Sequence, residues 1–178
     1  GLIGVAKKPV QVAPNSTDFT DYLSFKLDLV KCEMLREANL VYRREFGLDV
    51  RSLRVLRAIC DNPGVTATGL RDLTLVEKTI LSKELAQLIG LKLIRRSIHP
   101  VDARNHQLWA TARGKSLRAA SDDLGHTMED AMLATLLSSD ERSTLNHLLN
   151  KLAYGFLEGG EARNVMDDAH QNWQAGKR

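Results

Sequence analysis

Residues Val65–Gly114 read VTATGLRDLTLVEKTILSKELAQLIGLKLIRRSIHPVDARNHQLWATARG. Thr66 is a favoured helix-capping residue, and it precedes a short segment whose apolar positions Leu70 and Leu73 point inward. Thr74-Leu75 makes a tight turn. A second helical segment follows from about Val76 to Gly90, with Leu81, Leu85 and Leu88 on one face. Leu91–Ile98 and His106–Thr111 then read as two strands around the polar run His99–Asn105, whose composition suits a hairpin loop in solvent. Helix, turn, helix and charged hairpin is the order of a winged helix-turn-helix lobe.

The flanks read as helix. Residues 1–17 hold two prolines and no period, as expected of a flexible arm with Lys7 and Lys8 in it. Asp18 is placed to cap a long helix that ends near Phe46, with Gly47 as the stop. Apolar residues lie on two of its sides, so it must be covered twice, once by its own lobe and once by a second copy of the chain. Asp49 caps a helix from about Arg51 to Cys60 with Leu53, Leu56 and Ile59 inward, and Asp61-Asn62-Pro63-Gly64 stops it. After the hairpin, Thr111 restarts a helix that runs to Leu137. Ser138 and Glu141 have the spacing of a capping box, opening an amphipathic helix through Leu145, Leu149 and Phe156. Gly159-Gly160 ends it, leaving a frayed tail with a short helix around residues 162–173.

The expected fold is therefore mainly α with a small β-hairpin, a winged helix-turn-helix lobe joined to a helical dimerisation region. Its parts are an arm (1–17), a long dimerisation helix (18–47), the winged lobe (48–112), two C-terminal dimerisation helices (113–158) and a flexible tail (159–178).

Charge is unevenly spread. Residues 76–118 carry nine Lys/Arg and three Asp/Glu, whereas residues 121–170 carry three Lys/Arg and ten Asp/Glu. A basic segment followed by an acidic one fits a surface for an anionic polymer backed by a scaffold that repels it. Aromatic residues make up 5% of the chain, too few for a single-strand binder that works by base stacking. Two cysteines do not make a disulfide framework, and no zinc spacing or glycine-rich phosphate loop occurs. Five histidines are scattered, with no nucleophile–base set among them. The reading is a cytoplasmic protein without cofactor, metal or enzymatic activity.

The second helix of the pair presents Glu77, Lys78, Thr79, Ser82 and Lys83 opposite its leucine face. Lysine pairs with phosphate or guanine, and the hydroxyls reach bases or backbone, so this helix suits a major groove. In the hairpin, Arg95 and Arg96 stand at the base, and Arg104 and Asn105 lie at the tip. Asp102, two residues before Arg104, is placed to hold its guanidinium. A fixed arginine at a hairpin tip suits a narrow minor groove, where negative potential is focused.

These residues carry a resemblance to the multiple antibiotic resistance regulator (MarR) family of winged-helix regulators. Val65-Thr66-Ala67-Thr68-Gly69-Leu70 and Glu77-Lys78-Thr79-Ile80-Leu81-Ser82-Lys83 are similar to the family's second and third lobe helices. Leu85, Leu88, Leu93 and Ile94 fall where the recognition helix ends and the wing begins. Pro100, Asp102, Arg104, Leu108, Thr111 and Gly114 follow the wing pattern, including Asp-x-Arg and Thr-x-x-Gly. The register runs from about Leu53 to Leu117. Four positions depart from it. Ile80 replaces a usual Thr or Ser, Gly69 a common Glu, Lys92 a usual Gly, and Ala103 a frequent Arg. Gly69 weakens its helix by roughly 1 kcal/mol relative to Ala.

The resemblance implies a homodimer that binds a pseudo-palindromic duplex DNA operator and represses transcription until a small aromatic acid, or oxidation of a cysteine, releases it. An anionic effector calls for a cation between the first helix and the lobe, where Tyr42, Arg43 and Arg44 lie. For the redox route, Cys32 lies mid-helix among apolar residues and Cys60 at a helix end, both with the look of structural cysteines. A winged-helix scaffold for protein contacts without specific DNA binding is the remaining alternative.

Overall fold

Local capping chemistry sets most of the helix ends. The computed structural model describes residues 19–157 and 159–177. The arm, with Lys7 and Lys8, and Asp18 lie outside the described residues, and Asp18 is not the cap of the long helix, whose N-cap position is held by Tyr22 with no side-chain bond. A 3₁₀ turn, Phe19–Asp21, precedes α1, Leu23–Phe46, which ends at Gly47 in the left-handed conformation. Asp49 caps α2, Val50–Asp61, by accepting from the Ser52 N–H at 2.9 Å. Thr66 caps α3, Ala67–Thr74, by accepting from the Gly69 N–H at 3.2 Å.

α4 spans Lys78–Gly90, two residues later than the sequence reading. Leu75 is left-handed and Glu77 extended, so Glu77 is the capping residue and not part of the first turn, and its carboxylate makes no cap bond. Leu73 is not inward. It is 55% exposed, because the short α3 buries a single stripe through Leu70 and Thr74, with the Thr74 hydroxyl donating to the Leu70 carbonyl at 2.6 Å.

The strands are β1, Ile94–Ile98, and β2, His106–Ala110, paired antiparallel with Ile94 opposite Ala110 and Ile98 opposite His106. β1 starts three residues later than expected, since Leu91–Leu93 close α4 in a Schellman motif. The Leu93 N–H donates to the Leu88 carbonyl at 3.0 Å and the Lys92 N–H to Ile89 at 2.9 Å. Lys92, at the departure from the family's usual glycine, carries the left-handed φ of 59°. Val65 bridges to Leu108 and extends the hairpin by one short contact.

α5, Ala112–Leu136, α6, Ser139–Leu157, and α7, Glu161–Ala175, complete the chain. Ser138 and Glu141 form the expected capping box, each side chain accepting from the other's backbone N–H at 3.1 and 2.9 Å. These bonds hold the Glu141 carboxyl below its usual range. The residues after Gly160, read as a frayed tail with a short helix, form the fifteen-residue α7.

The chain divides into two compact units, residues 1–125 and 126–178. In the first, Leu48, Leu53, Leu56, Ile59, Leu70, Leu81, Leu88, Leu93, Ile94 and Leu108 form the core of the winged lobe. α2 joins this core to α4, where the buried Ser52 hydroxyl donates to Glu84. Tyr42, near the end of α1, is also buried, and its hydroxyl occupies the space that a side chain at Gly125 would fill. In the second unit, α6 and α7 pack together while Leu145, Leu148, Leu149, Leu152 and Phe156 remain exposed in the single chain. Among the described residues, no helix is long and apolar enough to cross a membrane.

Candidate nucleic-acid interface

Antiparallel register decides what the wing displays. Arg95 and Ser97, with their partners Trp109 and Gln107, share one face of the hairpin. Ile94 and Leu108 lie on the other face, buried against the lobe. Arg96 is exposed despite sharing that second face. The Arg95 guanidinium sits 5.4 Å from the centre of the Trp109 ring, a cation–π distance. The Trp109 indole N–H donates to the Ser97 hydroxyl at 2.8 Å, and a side chain at Gly64 would stand 3.2 Å from the ring. Arg95 thus rests on an aromatic platform that is held from two sides.

The wing tip differs from the sequence reading in one respect. Asp102 does not hold the Arg104 guanidinium. Its carboxylate accepts from the Arg104 backbone N–H and from the Asn105 side-chain amide, both at 3.0 Å. An aspartate two residues upstream reaches the main chain more readily than the end of a long side chain, as in an Asx turn. The effect is to shape the loop and leave the Arg104 and Asn105 side chains exposed. His99 closes the loop from its other end. Its Nδ1 accepts from the Val101 and Asp102 backbone N–H groups, both at 3.1 Å.

Glu77 at the N-cap and Lys78, Thr79, Ser82 and Lys83 on α4 are all exposed, and the Ser82 hydroxyl donates to the Lys78 carbonyl at 3.0 Å. Ile80 is half-buried, which accounts for an apolar residue there. The structure therefore presents both candidate groups of the lobe to solvent from one scaffold. The three candidate effector residues on α1 have different surroundings. Tyr42 is in the core, Arg43 pairs with Asp49 at 3.5 Å, and Arg44 is exposed. Asp49 lies below its usual range, because its bonds from Ser52 and the nearby Arg43 outweigh its desolvation.

Four charged residues far apart in sequence tie α2 to α5. Asp122 accepts from Arg57 at 2.5 Å and from Arg118 at 2.6 Å, and Arg118 also grips Asp61 at 2.7 and 3.2 Å. Burial opposes ionisation of Asp122, but the two arginines outweigh it and lower its pKa. The Arg118 pKa is raised, chiefly by its bond to Asp61. Cys60 lies beside this network, half-buried, and desolvation pushes its thiol up despite the Arg118 cation. Cys32 is exposed on α1 and not enclosed by its apolar neighbours.

Sequence reasoning passed over Trp109, His99 and the arginine–aspartate network. The first was within reach, since counting outward from Ile98 and His106 places Trp109 opposite Arg95. No local signal marks the others.

This geometry defines a winged helix-turn-helix protein. The model of the MarR family matches residues 46–105. A transcriptional regulator, HosA of Escherichia coli O111:H-, is 32% identical over 98 residues, which is 55% of this chain and 72% of that protein. Among solved structures, the transcriptional repressor CouR bound to a 23-mer DNA duplex superposes with a TM-score of 0.69 at 24% identity, over 80% of this chain and 99% of that one. The Staphylococcus aureus MepR–DNA complex gives 0.66 at 20% identity, over 76% and 98%. The chain belongs to the MarR family of transcriptional regulators.

Proposed function

We propose that the protein is a homodimeric repressor that binds a pseudo-palindromic DNA duplex and leaves it when a small aromatic acid binds. The observation that carries the reading is the pairing, on one rigid lobe, of an exposed polar recognition face on α4 with a wing whose tip is closed by its own hydrogen bonds. The first suits a major groove and the second a flanking minor groove. The solved relatives CouR and MepR, whose structures contain DNA, support it.

The dimer is supported by apolar surface left uncovered in the single chain. Leu23, Leu27 and Val30 on α1, and the α6 leucines, are exposed. Two lobes about one helical turn apart would read two half-sites. Effector binding would shift the population toward a lobe spacing that misfits the operator. Tyr42 is in the core, whereas Arg43, 3.5 Å from Asp49, and Arg44 are both exposed and are the cations that an anionic effector would meet.

The test is selection of duplexes from a random-sequence pool, followed by binding at two salt concentrations and in the presence of aromatic carboxylates. Specific, salt-dependent binding released by one carboxylate is the expected result. Binding that never exceeds that to random DNA would favour the protein-contact scaffold, and release by mild peroxide alone would favour the redox regulator. The raised pKa of the Cys60 thiol weighs against that residue as the sensor, because the thiolate is the species that oxidises, and leaves the exposed Cys32 as the thiol such a regulator would use.

A further inference from the structure

We propose that His99 is the positioning residue of the wing, its neutral imidazole holding the loop that carries Arg104 in the shape that meets DNA. The inference rests on the DNA-binding reading above and goes beyond it, because it makes wing geometry depend on one lone pair.

The bonds are specific. Nδ1 of His99 accepts two main-chain N–H groups, from Val101 and Asp102. The His99 N–H donates to the Asn105 carbonyl at 3.0 Å, and the Asn105 N–H to the Asp102 carbonyl at 3.0 Å. Asp102 then takes the Arg104 N–H. Residues 99–105 are therefore closed by two side chains acting in series, His99 on Asp102 and Asp102 on Arg104. Among the described residues, every hydrogen bond made by this loop stays within it. Among the described residues no hydrogen bond ties the tip to the helices, so its hydrogen-bonded shape depends on these acceptors. His99 is half-buried while residues 100–106 are exposed.

An acceptor at Nδ1 requires the neutral tautomer with its proton on Nε2. Protonation puts a third N–H against two others, so the bonds are lost together. The charged and titratable groups of the same hairpin are Arg95, Arg96, Asp102, Arg104 and His106. The Asp102 carboxylate faces the Arg104 N–H and the Asn105 amide, and accepts nothing from His99.

The test compares His99→Phe with His99→Asn, whose Oδ1 takes the place of Nδ1. Binding is read by anisotropy with a labelled duplex selected from a random pool by the wild-type protein, and folding by thermal melts. His99→Phe is expected to weaken specific binding about tenfold, the loss that two exposed hydrogen bonds support. His99→Asn is expected to restore most of it. On an Arg104→Ala background, His99→Phe is expected to add little, since the two act through one contact. Nitrogen-15 chemical shifts of His99 at pH 8 are expected to report the Nε2–H tautomer. A folded His99→Phe that binds as wild type overturns the proposal. So does a full effect retained on Arg104→Ala, or an Nδ1–H tautomer. If the wild-type protein selects no duplex, the DNA-binding reading itself fails, while the tautomer measurement still decides the loop geometry.

Discussion

Gly114, in the first turn of α5, lies directly against the backbone carbonyl of Leu93, so that a Cβ at 114 would collide with the carbonyl oxygen. Thr111 completes the junction. Its hydroxyl donates to the Lys92 carbonyl at 2.7 Å and accepts the Gly114 N–H at 3.0 Å, while its own N–H donates to the Leu93 carbonyl at 3.0 Å. The Thr-x-x-Gly pattern is therefore a clasp between the start of the wing and the helix that follows it.

Gly114→Ala is expected to destabilise the lobe by about 3 kcal/mol, since the obstructing atom is backbone and cannot turn aside. The gain in helix propensity, about 1 kcal/mol, offsets only part of it. A denaturant melt checks this, and an unchanged midpoint would show that the junction yields.

Leu75 and Lys92 carry φ values of 58° and 59°, in the left-handed region that favours glycine. Leu75 is 87% exposed, so its side chain adds little to the core. Leu75→Gly and Lys92→Gly are each expected to stabilise the fold by up to about 1 kcal/mol, the strain relieved less the entropy gained by the unfolded chain. Thermal melts of the two single variants and the double variant decide it. A fall in either single variant would mean that the side chain makes a contribution the monomer does not reveal.

Asp122 is held below its usual pKa by Arg118 and Arg57, against the opposing effect of burial. A lowered pKa in the folded state gives a contribution that is fully present above the unfolded value. It is lost as pH falls through the folded value. Asp122→Asn is expected to cost about 2 kcal/mol at pH 7, with the gap to wild type closing below about pH 4. Stability measured by urea titration across that range is the check. A gap independent of pH would place the effect in packing and not in charge.

Arg104→Ala is expected to weaken specific DNA binding roughly tenfold to a hundredfold and to reduce the salt slope by about one unit, without altering assembly. Binding isotherms at several salt concentrations, with sedimentation alongside, separate the two effects. Unchanged affinity would remove the wing tip from recognition.

Leu149→Asp places a charge on the exposed apolar face of α6, where Leu149 is 39% exposed in the single chain. If that face meets a second copy, the variant is expected to sediment as a monomer. A variant that remains dimeric would move the interface elsewhere.

Much of the architecture was legible because it is written in short-range chemistry. Asp49, Thr66, and Ser138 with Glu141 announce helix starts through side chains that bond their own backbone a few residues away. Gly47 announces a stop through its φ. The leucine spacing of α2 and α4 marks which faces turn inward. Short-range signals failed where neighbours compete. Leu73 fits the helical period, yet it stands exposed because Leu70 and Thr74 already fill the contact of a short helix. Lys92 does not look like a helix terminus, yet the Schellman closure of α4 holds it left-handed.

The sequence by itself determined the order of elements, the caps at Asp49, Thr66 and Ser138 and the winged lobe, because each rests on interactions within a few residues or on a periodic apolar face. Only the tertiary structure decided which distant groups meet. It placed Arg57 of α2 and Arg118 of α5 on the Asp122 carboxylate, and Arg118 on Asp61 as well. Those pairings depend on register and on the distance between helices, which the hydrophobic core fixes once it has formed, and no local pattern encodes them.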